Sequence, residues 1–436
     1  MSKEKEYYKN HNYHTRKPVY IDEQDLRKDQ LERLTASDVF CMIPWIHMHA
    51  FPDGRAYPCC LGDDKYPIGN FKQDSMATVW NGDAYKIMRK NMLEEQPCKE
   101  CTKCYEQEAS GFMSMRNSTN KNFGQHIALV DNTKEDGTLE DFKLRYYDIR
   151  FSNLCNFTCR TCGGWFSSSW YTEEEQLYGP RNYPKIMFAG RTELDMWKQL
   201  EPHIPYLEQI YFAGGEPMMM EEHYWILKEL AAREMFDVKL IYNTNFSRLA
   251  LKDEDVLDYW KLFRNVSVGA SLDGMGAHAE YIRKGTRWDQ IVRNREQMME
   301  TCPNVDFYVS STVSLYNALH VSDFHRSWVE LGYIQPQDWN VNILQGPDRD
   351  RIDVLPQMYK QQVLEKVTEH IDWLRPQDHL QRATSGYEGM LKFMMANDNS
   401  HLLGEFFRVN DIHDDYRQER FEDTFLEYKD LRNGIA

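Results

Sequence analysis

The chain has 436 residues, 42% of them hydrophobic and 13% aromatic, enough for one large domain or two to three ordinary ones and unlike a disordered composition. Its formal net charge of −16 excludes broad electrostatic binding of nucleic acid, which needs a basic surface, while leaving room for a local basic patch. No apolar run approaches the roughly 18 residues of a membrane span, and the opening MSKEKEYYKNHNYHTRK lacks the apolar stretch of a secretory signal, so a cytoplasmic protein without a membrane partner is expected.

Residues 1–35 are polar and carry both charge signs, reading as a mobile arm or a solvated helix. Residues 36–115 hold six of the ten cysteines, Cys41, Cys59, Cys60, Cys98, Cys101 and Cys104. In a reducing compartment such clustering points to metal rather than to a disulfide framework. Residues 116–142, rich in Asn, Asp, Lys and Gly, read as a linker. From 143 to 346 short β-branched and aromatic runs alternate with helical patterns. Strands are expected at 144–150 (LRYYDIR), 208–213, 237–243, 265–272, 305–313 and 339–344, and helices at 219–233, 252–262, 288–300 and 320–331. This alternation predicts an α/β fold of parallel βαβ units, a partial (β/α)6 TIM-like barrel with its chemistry at the C-terminal ends of the strands. Residues 347–436 read as a helical C-terminal extension.

Residues 151–164, FSNLCNFTCRTCGG, space Cys155, Cys159 and Cys162 as C-x3-C-x2-C just after the first expected strand. A closed zinc site takes four protein ligands and an ordinary iron–sulfur cluster four thiolates. Three thiolates on one loop leave one iron of a 4Fe–4S cluster open to a small molecule. From spacing alone, zinc with a distant fourth ligand and three unrelated cysteines remain alternatives.

The C-x3-C-x2-C loop resembles that of the radical S-adenosylmethionine (radical SAM) enzymes. Further motifs follow in the family's order, each at an expected strand end. FAGGEP at 212–217 looks like the segment that holds the cofactor's methionine amino group, implicating Gly214, Gly215 and Glu216. NTNFS at 243–247 is similar to the segment near the ribose, implicating Asn245, with Phe246 where glycine is usual. SLDG at 271–274 followed by YIRKG at 281–285 resembles a pattern that contacts the cofactor carboxylate, implicating Ser271 and Arg283, with Arg287 close by. Asn317 resembles a further polar position, and Thr161 stands where relatives often carry an aromatic beside the adenine. The resemblance implies reductive cleavage of S-adenosyl-L-methionine at a 4Fe–4S cluster, giving a 5′-deoxyadenosyl radical that abstracts a substrate hydrogen. It also implies an electron donor such as a flavodoxin or ferredoxin.

The N-terminal pattern, Cys41-x12-Gly54-x4-Cys59, then GN, then Trp and Arg, then Cys98-x2-Cys101-x2-Cys104, resembles the SPASM and twitch auxiliary-cluster domains. Here it precedes the barrel. Six cysteines fall short of the eight that two four-iron clusters need, so one auxiliary Fe–S cluster is expected. Its ligands would be Cys41 and Cys59 with two from Cys98, Cys101 and Cys104; Cys60 is a further candidate, and a zinc ribbon is the alternative. The resemblance implies oxidative modification of a peptide or protein. Radical dehydrogenation of a small molecule such as a sugar or aminocyclitol, and a non-catalytic Fe–S or zinc scaffold, are the other readings. No residue stands out as the proton acceptor.

Four other features invite weighing. His47 and His49, at i and i+2, are expected as partly exposed strand residues or hydrogen-bond partners rather than a metal pair. Met218–Met220 reads as packing, and Glu173–Glu175 as a solvated helix face. Ser167–Ser169 with Trp165 and Trp170 read as a helix cap or a shield for the cluster.

Overall fold

In a computed structural model, residues 26–109 and 113–434 are described. Most of the expected polar arm, residues 1–25, lies outside the described residues, and Lys28–Thr35 is a helix.

The N-terminal region contributes three short strands, β1 (His49–Ala50), β2 (Arg55–Tyr57) and β3 (Gly69–Asn70). All six expected strands of the middle segment form. They are β4 (Tyr146–Ile149), then, beyond the short β5 (Thr158–Cys159), β6 (Gln209–Phe212) and β7 (Lys239–Thr244). After a small hairpin of β8 (Ala250–Leu251) and β9 (Glu254–Asp255) come β10 (Val266–Ala270), the short β11 (Arg283–Lys284), β12 (Asp306–Val313) and β13 (Trp339–Ile343). The sheet runs β13-β12-β10-β7-β6-β4-β1-β2-β3, and its pairings from β13 to β1 are parallel. The expected helices appear as Glu221–Ala232, Val256–Trp260, Trp288–Thr301 and Val321–Glu330.

The sheet has two unlike faces because side chains alternate along each strand. On β7, Leu240, Tyr242 and Thr244 are buried, and Tyr242 packs on His223 and Trp260 of the covering helices. The opposite face carries Ile241 and Asn243. Asn243 donates to the Tyr211 hydroxyl at 2.6 Å, and Asn342 to the Ser310 hydroxyl at 2.9 Å.

Two expectations need correction. The stretch read as a linker contains the helix Met115–Phe123 and a 3-10 helix, Gly124–Asn132. Ser114 caps the first, and Phe123, Ile127 and Val130 are buried, so its sparse apolar residues fall on one inward side. His47 and His49 meet the hydrogen-bonding arm of their expectation, each with Nδ1 bonded at 2.8 Å to a β4 carbonyl, of Tyr146 and Asp148, but they are fully buried rather than partly exposed.

C-terminal helices occupy Gln357–Leu374, Arg382–Ala396 and Leu403–Arg417. The apolar core runs from Leu34 to Leu431, so the cysteine-rich region, the sheet and these helices share it. Among the described residues no helix is long and apolar enough to cross a membrane.

Candidate functional site

The three-cysteine loop leaves β4 and is tied down by its own following segment. Ser169 Oγ donates to the Cys155 carbonyl at 2.7 Å, Ser167 Oγ to the Phe157 carbonyl at 2.6 Å, and Trp170 Nε1 to the Cys159 carbonyl at 3.1 Å. The Ser167–Ser169 run is therefore a set of loop fasteners; Ser169 sits at the helix N-cap, but its hydroxyl turns to the loop instead. Within the loop, β5 pairs antiparallel with β11, setting Arg283 opposite Cys159.

One cavity gathers Cys155, Cys159 and Cys162 with residues from successive strand ends. These are Gly214 and Gly215 after β6, Asn245 after β7, Ser271 after β10, and Arg283; Arg150, Thr161 and Asn243 also line it. Asn245 Nδ2 lies 4.0 Å from Cys155 Sγ, and Arg283 Nη1 4.0 Å from Cys159 Sγ. Arg287 is exposed, so of the two neighbouring arginines it is Arg283 that faces the cavity.

Gly214 and Gly215 both have positive φ. A Cβ on Gly215 would fall 2.4 Å from the Leu154 carbonyl oxygen, and one on Gly214 2.7 Å from the Arg150 side chain. Only glycine suits this conformation and this approach.

Glu216 does not line the cavity. Its carboxylate is buried and accepts from Thr244 Oγ1 and the Asn245 amide, both at 2.7 Å, and from the Met218 amide at 3.2 Å. Burial pushes it up to about 7, against those hydrogen bonds, which favour the charged form. Asn317 is likewise spent on the framework, donating to the Asp273 and Thr312 carbonyls. Burial raises the free thiols too, Cys155 and Cys159 to about 12 and Cys162 to about 11. Loading with metal must therefore release protons.

The second cysteine set surrounds a separate cavity, lined by Cys41, Cys59, Cys101 and Cys104 with Met88, Met92 and Arg116 among others. Cys98 is not in that lining; its thiol contacts the Met88 carbonyl at 3.8 Å. Cys60 turns elsewhere, with Asp148 and Arg150 as its charged neighbours. Among the described residues no three His, Cys, Asp or Glu side chains are placed to hold a single metal ion; each cysteine set is spread around a cavity.

Two charged residues escaped the sequence reading. Asp273, inside SLDG, accepts from Arg283 Nε at 2.7 Å and from the Thr312 amide at 2.8 Å, so it aims the arginine. Arg150 is clamped by fully buried Asp148 through Nε at 2.7 Å. The i, i+2 spacing of Asp148 and Arg150 on an expected strand put them on one face and was the available signal.

Residues 41–105 match the SPASM family model, described as an iron–sulfur cluster-binding domain, so the N-terminal region carries such a domain ahead of the parallel sheet. No curated protein matches the chain. Among solved structures, one described as native anSMEcpe with bound AdoMet is 18% identical, over 51% of this chain and 58% of its own, with a TM-score of 0.35. A second, native anSMEcpe with bound AdoMet and Cp18Cys peptide, is 16% identical over 51% and 57%, with a TM-score of 0.34. The chain thus spans a little over half the length of these structures.

Proposed function

We propose that the chain is a radical SAM enzyme, with Cys155, Cys159 and Cys162 holding a 4Fe–4S cluster whose open iron receives S-adenosylmethionine. The observation that carries this is the single cavity where three thiols meet Gly214, Gly215, Asn245, Ser271 and Arg283, each on the loop or strand end its motif predicts. The parallel strands are read as an open (β/α)6 barrel, whose C-terminal strand ends are where such folds do chemistry.

The residues present fit the group. Three thiols spread around a cavity suit a multi-iron cluster better than the tight tetrahedron of zinc. Gly214 and Gly215 present backbone without side chains to the cavity, which would let a ligand approach their peptide groups. When bound, the cluster and S-adenosylmethionine supply one-electron cleavage and a hydrogen-abstracting radical. Arg283, aimed by Asp273, would take the cofactor carboxylate, with Ser271 beside it. Glu216 would act mainly by fixing Thr244 and Asn245, since its oxygens already accept three hydrogen bonds.

Four cysteines around the N-terminal cavity favour one fully ligated auxiliary cluster, and hence electron transfer over direct binding of substrate. The substrate is read as a peptide or protein undergoing oxidative modification, from the resemblance to the SPASM subgroup, and the reductant as a flavodoxin or ferredoxin. A second reading, dehydrogenation of a polyol-like small molecule, is favoured by the polar inner face, where Tyr211, Asn243, Ser310 and Asn342 are hydrogen-bonded in pairs.

The test is anaerobic reconstitution with iron and sulfide, then dithionite and S-adenosylmethionine, with 5′-deoxyadenosine as the readout. Wild type is expected to form it, and the Cys155/Cys159/Cys162→Ala variant to form none while keeping its auxiliary iron. Failure of an iron-replete wild type, with candidate peptides and polyols also supplied, would overturn the reading.

A further inference from the structure

Between Cys159 and Cys162 the loop carries Arg160, whose side chain leaves the cysteine cavity and enters the C-terminal helix Leu403–Arg417. There it is 2% exposed. Arg160 Nη1 donates to Asn410 Oδ1 at 2.7 Å, and Nη2 pairs with Asp414 and, at 2.6 Å, with Glu419. The guanidinium also lies 4.0 Å over the Tyr281 ring, and the Tyr281 hydroxyl donates to Asp414 at 2.7 Å. Asp414, 1% exposed, accepts in addition from the Phe421 amide at 2.8 Å.

The same helix grips the loop a second time. Arg417 donates to the Thr158 carbonyl at 2.9 Å and pairs with Glu173 at 3.0 Å, while His413 Nδ1 meets that carboxylate at 2.7 Å. Glu173, expected on a solvated face, is therefore buried and paired. Apart from Arg160 and the Thr158 carbonyl these groups lie outside the loop, and none of them lines the cavity that gathers the three cysteines, although Arg160 and His413 line a neighbouring cavity that reaches Cys162.

We infer that Asp414, with Glu419, acts through Arg160 as a positioning residue for the three-cysteine loop, fixing its path and setting the reduction potential of the cluster held there. This rests on the radical SAM reading. A buried guanidinium beside an iron–sulfur cluster favours the reduced, more negative form, and the two carboxylates offset it. Lys284 shares Glu419 at 2.6 Å, so two cations face two carboxylates there; removing the Asp414 charge leaves one positive charge uncompensated beside the loop, and the cluster becomes easier to reduce. The C-terminal helix thus holds the cluster at a low potential, as a strong one-electron donor requires.

The test follows, in the full-length reconstituted protein, the reduction midpoint of the paramagnetic signal that responds to S-adenosylmethionine, together with iron content. Asp414→Asn should shift the reduced-to-oxidised ratio at fixed poise about tenfold toward reduced, equivalent to about 59 mV for one electron. Asp414→Glu should restore it. Asp411→Asn, on the same helix but paired with Arg432, should leave it unchanged. In an Arg160→Gln background the Asp414→Asn shift should vanish, since coupled residues are not additive.

An unchanged midpoint in an iron-replete Asp414→Asn protein, or a shift equally large without Arg160, overturns the inference and leaves the radical SAM reading intact. If Asp414→Asn loses all its iron through misfolding, Glu419→Gln, at a partly exposed site, is read by the same criteria. A wild type with no iron on the three-cysteine loop overturns both.

Discussion

Phe246 holds φ at 57°, the left-handed region that glycine favours, yet it is fully buried. Its amide donates to Thr244 Oγ1 at 2.9 Å, its carbonyl accepts from Asn294 at 2.8 Å, and its ring packs 5.2 Å from that of Phe307. The loop therefore keeps a glycine-like turn with an aromatic in it, the strain offset by packing. A left-handed L-residue costs about 1–2 kcal/mol, whereas removing a buried Phe costs about 3–5 kcal/mol. Both Phe246→Ala and Phe246→Gly should destabilise, but Phe246→Gly by about 1 kcal/mol less, the reverse of the usual order. Denaturant melts of the two variants check this; a less stable glycine variant would show that φ carries no strain. At this scale the sequence was informative where side chains define a motif. The cysteines, glycines, Asn245 and Ser271 meet in one cavity because each follows the end of a recognisable strand, and Arg283 joins them through the pairing of β11 with the cysteine loop. Spacing could not choose between Arg283 and Arg287; pairing of β11 with β5 does. Nor could it foresee that Glu216 turns inward, because that depends on Thr244 and Asn245, brought to it by the neighbouring strand.

At the scale of elements, the turn after β6 and the cysteine loop form one unit. The Glu216 amide donates to the Leu154 carbonyl at 2.7 Å, the same oxygen that a Cβ on Gly215 would strike. Gly215→Ala should therefore push Leu154, and with it Cys155, out of place. The expected outcome is loss of the iron bound by the three-cysteine loop with auxiliary iron retained, read by iron analysis after reconstitution. Retention of both would mean that the turn tolerates a methyl group. The six long strands were legible because their β-branched and aromatic runs exceed the length needed to see a period of two. Strands β1, β2 and β3 have two or three residues each, too short for any period. The helix over Met115–Phe123 was hidden for another reason: its buried side chains include Arg116, Thr119 and Asn120, polar residues that are inside because they cap and bridge. Arg116 donates to the Ser37 and Phe40 carbonyls, and Asn120 to the Phe40 carbonyl.

For the whole molecule, pH dependence follows from buried titratable groups. Burial holds His47, His203 and His320 down to about 4, His223 and His370 to about 3, and His325 well below its ordinary value. Below an unfolded value of about 6.5 each binds a proton in the unfolded chain but not in the folded one, so stability is lost as pH falls. Glu216, Glu222 and Asp350, raised by burial to about 7, act oppositely, binding protons in the folded state first. Six groups outweigh three, so Tm should fall between pH 7 and pH 5. A flat or rising Tm by calorimetry would contradict this balance.

The joining of β1 to β4 has a mechanical meaning. The Arg145 amide donates to the Ile46 carbonyl and the Arg150 amide to the Ala50 carbonyl, both at 2.9 Å, bracketing the two-residue ladder. Cys59 lies two residues beyond β2, and Cys155 six residues beyond β4. The two cysteine cavities therefore hang from strands of one sheet, β2 and β4, with β1 hydrogen-bonded between them. On the radical SAM reading, the gap between the two clusters would be set by the sheet rather than by the length of the covalent connection that runs outside it.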